Sequence, residues 1–150
     1  MSKNHIDRIK KFEKIIRVQE NRLGLLKQQI AWQAKLVEGL RKECEGLEVK
    51  MQVLPVSSEV SQRSIAYWQQ LNHLLAELQK QVNVLRAEIA SADEKLDYLH
   101  HSYREEERVL RSWEKLVEGK KFDLESVAAQ IEQRQADDLF LMHDMAGDDQ

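Results

Sequence analysis

One pattern constrains this chain more than any other: apolar residues return at alternating steps of three and four for most of its length. The first run is Ile9, Phe12, Ile16, Gln19, Leu23, Leu26, Ile30, Gln33, Val37, Leu40, Cys44, Leu47, Met51 and Leu54, in which only Gln19 and Gln33 are polar. The second run is Trp68, Leu71, Leu75, Leu78, Val82, Leu85, Ile89, Ala92, Leu96, Leu99 and Tyr103. It continues through Glu106, Leu110, Trp113, Val117, Lys120, Leu124, Val127, Ile131, Arg134, Asp138 and Leu141, with polar exceptions accumulating. A heptad held this long, with charged residues between its members, is a coiled-coil seam and not the stripe of a helix packed on a globule.

The two runs are separated by Pro55-Val56-Ser57-Ser58, which holds the chain's single proline. Proline lacks the N–H a helix needs and biases Leu54 away from helical geometry. A break is therefore expected there, with Ser57, Ser58 or Ser61 capping the helix that follows. The predicted architecture is all-α: one hairpin of two antiparallel coiled-coil helices with unequal arms. Helix one covers about residues 4–54, the turn about 55–61, helix two about 62–144, and a disordered tail about 145–150. At 1.5 Å per residue the arms would be about 75 Å and about 120 Å long. Pairing outward from the turn sets Ile9 near Glu107. Beyond about Leu116 the longer arm has no intramolecular partner, which leaves Val117, Leu124, Val127, Ile131 and Leu141 exposed. Each buried methylene is worth about 0.8 kcal/mol, so a wet seam of this kind is expected to dock on a partner; the alternatives are that it dimerises with a second copy or stays loose.

Composition agrees with a rod. Charged residues make up 33%, aromatic residues 6%, and 5 Gly with 1 Pro are too few for the turns of a globule. The net charge of −3 gives no reason to expect nucleic acid or an anionic membrane as partner. No apolar run approaches the ~20 residues of a membrane span, and the N-terminus lacks the apolar stretch of a signal peptide. Together with one cysteine, these features lead to the expectation of a soluble, cytoplasmic protein. No phosphate-binding glycine loop or metalloprotease motif is present, so no catalytic, cofactor-binding or metal residue is expected. His100 and His101 are adjacent and project about 100° apart on a helix, too divergent to share a metal. Cys44 lies on the seam, as a small buried hydrophobe would.

Off-seam residues suggest surfaces for partners. Val18, Leu25 and Trp32 repeat every seven residues on the outer side of helix one, and Gly39 and Gly46 continue the line. Leu74, Tyr98, Leu116, Phe122, Leu139 and Phe140 are off-seam on helix two. Trp32 and Phe140 are the exposed aromatic candidates. Charge also segregates. Residues 1–22 hold Lys3, Arg8, Lys10, Lys11, Lys14, Arg17 and Arg22 against three acids, a balance of +4. Residues 132–150 hold six acids against Arg134, a balance of −5.

Certain segments resemble a known family. They are Tyr67-Trp68-Gln69-Gln70-Leu71, Leu78, Tyr103-Arg104-Glu105 and Leu110-Arg111-Ser112-Trp113-Glu114-Lys115-Leu116. They are similar to the aromatic start, the aromatic-Arg-Glu step and the later Trp-x-x-Leu of the stalk proteins of bacterial type III secretion systems. That family comprises the FliJ group of flagella and the YscO group of injectisomes. Ile6-Asp7-Arg8-Ile9-Lys10 and Ile15-Ile16-Arg17-Val18-Gln19-Glu20 lean toward the injectisome branch.

The resemblance implies a non-enzymatic hairpin stalk, monomeric when isolated, at the cytoplasmic face of the secretion apparatus. It would enter the hexameric export ATPase, promote its assembly or activity, link it to the cytoplasmic domain of the export gate, and bind export chaperones. Arg8, Lys11, Trp113 and Phe122 are the candidates for the ATPase end. The gate-contact stretch of the family falls on Leu47, Met51, Leu74, Leu78 and Leu85, where this chain has aliphatic residues in place of several aromatic and polar ones. Seam packing alone also accounts for Leu47, Met51, Leu78 and Leu85. The competing expectation is a structural spacer or tether that forms a parallel dimer; solution mass separates the two.

Overall fold

The computed structural model describes residues 2–57 and 64–148. It contains two helices, α1 (Ser2–Ser57, 56 residues) and α2 (Ile65–Asp148, 84 residues), packed against each other with the second longer. The all-α hairpin with unequal arms is the observed fold.

Pro55 lies inside α1. Its missing N–H leaves the Met51 carbonyl without its helical donor, and the helix ends two residues later. The helix thus outlasts the expected boundary at 54 by three residues. Ser57 belongs to α1 and does not cap α2, while Ser58 and Ser61 lie outside the described residues. The cap is Ser64. Its Oγ accepts from the Tyr67 N–H at 3.3 Å, and its carbonyl accepts from Tyr67 and Trp68 at 3.0 and 3.3 Å. A serine whose side chain serves the third helical N–H satisfies one of the donors that a helix start leaves unpaired. At the other end α2 runs to Asp148, four residues past the expected limit, and Asp149 and Gln150 lie outside the described residues.

The packing divides into two compact units. The inner unit, Gly24–Arg104, centres on Cys44, Val82 and Leu85, with Leu40, Leu47, Met51 and Ile89 packed around them. Val37, Leu71, Leu78, Ala92 and Leu99 are also buried, so the seam faces inward on both helices. Gln33 is the polar member of this seam, and its Nε2 donates to the Ala92 carbonyl at 3.0 Å. Two ion pairs flank the seam, Arg41–Asp93 at 2.7 Å and Arg86–Glu48 at 2.8 Å. Trp68, expected on the seam, is 42% exposed and set edge-on to Tyr67. Buried contact along α2 starts one step later, at Leu71.

The terminal unit comprises Met1–Leu23 and Glu105–Gln150. Ile9, Gln19, Leu23 and Val117 are buried. The Phe12 and Trp113 rings lie 5.4 Å apart, and the Lys120 ammonium sits 5.8 Å from the Phe12 ring centre. Gln19 Nε2 donates to the Glu106 carbonyl at 3.0 Å and to its carboxylate. Lys121 pairs with Glu13 at 3.3 Å.

These contacts correct the expected register. Phe12 against Trp113 places Ile9 one turn further on, beside residues 116–117, instead of near Glu107. The cause is the later reversal: α1 persists past Pro55 and α2 begins only at Ile65, so every pair outward shifts along α2. The unpaired end is correspondingly shorter. Val117 is 6% exposed and Leu124 half-buried, contrary to expectation, and the seam becomes exposed from Val127 onward.

Candidate interaction surfaces

The residues proposed for the ATPase end all lie in the terminal unit, in unequal settings. Arg8 and Lys11 are exposed on α1. Trp113 is half-buried because it is a seam position, with its ring against Phe12. Phe122 is 69% exposed and lines a shallow groove with Glu13, Ile16, Glu118 and Lys121. Beyond this groove the overhang presents Val127, Ile131, Leu139, Phe140, Leu141, Met142 and Met145, all exposed. Two exposed apolar groups, Val127 with Ile131 and Leu139 to Met145, are separated by the polar stretch 132–138, and with no further helix to cover them they form a candidate interaction site.

The gate candidates lie in the inner unit, and four of the five are packed inside it. Leu78 and Leu85 are buried, Leu47 and Met51 are half-buried, and only Leu74 is exposed. A partner reaching this stretch meets Leu74 and no large face of the other four.

A second apolar groove lies in the inner unit between the helices. Trp32, the most exposed of the aromatic candidates at 79%, lines it with Leu25, Leu36 and Leu99, and Gln28, Gln29 and Lys95 form its polar edge. Leu36 was not singled out from the sequence, although its place four residues after Trp32 puts it on the same face. Also missed were the partners of two polar seam residues. Glu106 receives the Gln19 amide, and Lys120 lies over Phe12. The signal was partial: a buried polar seam residue needs a hydrogen-bond partner, but a backbone carbonyl serves as well as a side chain, as Ala92 does for Gln33.

Burial pushes the Cys44 thiol up, the neighbouring Glu48 carboxylate adds to the rise, and its Sγ donates to Glu48 Oε1 at 3.6 Å. A thiol so placed is a poor nucleophile. The Arg86 guanidinium in turn holds the Glu48 carboxyl below its ordinary range against a smaller opposing effect of burial. Among the described residues no three His, Cys, Asp or Glu side chains converge as a metal site would require, and no helix is long and apolar enough to cross a membrane.

The geometry defines a class: a two-helix antiparallel hairpin whose longer arm ends in an acidic, uncovered apolar helix. The family model described as flagellar FliJ protein matches residues 9–143, and the chain belongs to that family. This is a family of non-enzymatic export-apparatus proteins that associate in general with the export ATPase and the export gate. No curated protein and no solved structure matches the chain.

Proposed function

We propose that this chain is the central stalk of a type III secretion export apparatus, of the injectisome kind, and acts at its cytoplasmic face. It binds the hexameric export ATPase through the terminal unit and promotes its assembly or activity. It links the ATPase to the export gate through the inner unit, and it also engages export chaperones. The observation that carries the reading is the overhang of α2: Val127, Ile131, Phe140, Leu141 and Met142 are all exposed beyond the end of the paired helices. An extension that holds apolar residues in water has no use for the hairpin itself, and docking recovers their burial. Arg8 and Lys11 on the neighbouring arm supply positive charge that steers the approach. At the gate, Leu74 is the side chain of that stretch open to a partner.

Removing residues 126–150, which leaves Leu124 and the paired seam in place, tests this directly. The shortened chain should keep its helical hairpin yet lose binding to the export ATPase and stimulation of its hydrolysis. Reversing the charge of Arg8 and Lys11 should slow association without unfolding the hairpin. Full ATPase binding by both variants would overturn the reading.

A further inference from the structure

The overhang and the start of α1 carry opposite net charges. Among the described residues, Lys3, Arg8, Lys10, Lys11, Lys14, Arg17 and Arg22 form no ion pair, and neither do Glu132, Asp137, Asp138 or Asp144. Both segments also hold exposed apolar side chains. Ile15 and Val18 stand on the outer face of α1, and Val127, Ile131 and Leu141 continue the seam of the overhang. The two surfaces therefore match in charge and in apolar content. They cannot meet within one chain. Helix α2 is unbroken through Asp148, so the overhang leads away from the α1 segment that pairs with residues before it.

We propose that the overhang of one copy lies along the basic outer face of the first turns of α1 in a second copy. Each copy carries both halves of the contact, so a two-fold arrangement satisfies both overhangs at once and closes as a dimer. This differs from a parallel coiled-coil dimer, because both hairpins stay intact and only the uncovered helix ends are shared. The contact rests on charges in water, so it weakens with salt and leaves a monomer in dilute solution. It stands independently of the ATPase reading. If both hold, self-association and partner docking compete for the same helix.

Sedimentation of the full chain across a range of concentrations and salt tests the proposal. The mass should move from one copy toward two as concentration rises, and back toward one as salt is added. Lys10→Glu, Lys11→Glu and Lys14→Glu together should give a monomer at every concentration, as should Asp137→Lys, Asp138→Lys and Asp144→Lys together. All six in one chain should restore the dimer. Circular dichroism checks that each variant keeps its helices; if one does not, the salt series on the unaltered chain decides. A single-copy mass throughout, an association that salt strengthens, open-ended growth beyond two copies, or a six-fold variant that folds without dimerising would each overturn the proposal.

Discussion

Replacing Gln33 by leucine should make the inner unit more stable and less certain of its register. Gln33 is only 8% exposed, and its Nε2 donates to the Ala92 carbonyl at 3.0 Å. That carbonyl sits within α2 and keeps its helical hydrogen bond when the amide is gone, so the substitution orphans no acceptor. The loss is then the net worth of one hydrogen bond, about 0.5–1.5 kcal/mol. Against it stands a leucine side chain taken out of water, worth about 1.5–3 kcal/mol when burial is complete. The balance favours Gln33→Leu by about 1–2 kcal/mol, and each kcal/mol raises the midpoint of thermal unfolding by about 2–4 °C. The counterpart is specificity. A polar residue in an apolar seam fixes how two helices align, at a cost in stability. Spin labels at the exposed positions Gln28 and Lys95, in a Cys44→Ser background, should give one narrow distance in the parent and a broadened or second distance in Gln33→Leu. If the leucine variant unfolds earlier, or is more stable with an unchanged single distance, the amide does not act as a register pin.

Further expectations follow from the packing. Val82 is 1% exposed between Cys44 and Leu85, so Val82→Ala should cost about 2–3 kcal/mol in denaturant unfolding, two methyl groups plus the cavity they leave. Trp113→Ala removes the ring against Phe12, and hydrogen exchange should accelerate over residues 2–15 with the inner unit unaffected. The Glu48 carboxyl is depressed chiefly by its hydrogen bond from Arg86. Its folded value lies below its unfolded one, so its contribution is complete above the ordinary carboxylate range and fades as the pH falls through the folded value. Glu48→Gln should remove that part of the acid sensitivity, read as a smaller difference in unfolding midpoint between neutral and acidic buffer.

The seam was legible because period decides facing. Fourteen positions from Ile9 to Leu54 were assigned inward, and all are buried or half-buried. The off-seam residues Trp32, Leu74, Tyr98, Phe122 and Phe140 are exposed for the same reason. Register was not legible, because it depends on where the chain reverses. Local propensity places that reversal at Pro55, whereas α1 continues to Ser57, with Leu54 and Pro55 half-buried. An error of a few residues at the turn then propagated undiminished to Ile9 and made the overhang look longer than it is. The candidate surfaces divide along the same line. Phe122 and Leu74 stand where a partner can touch them. Trp113, Leu78 and Leu85 are seam residues first, and a family resemblance alone does not distinguish a partner contact from core packing.

The outer line of α1 passes from Trp32 to Gly39 and Gly46, and a methyl group added at either glycine would meet nothing within 4 Å. Steric need does not explain glycine there. Each such position forgoes about 0.5–1 kcal/mol relative to alanine by leaving its backbone freer. The expected consequence is compliance, with the helix bending more readily at these two points than along its side-chain-covered stretches. A lever that transmits force works best when stiff, and a linker that must follow a moving part works best when it yields. Alanine at Gly39 and Gly46 should therefore stiffen the outer edge of α1, since the added methyl groups meet nothing within 4 Å.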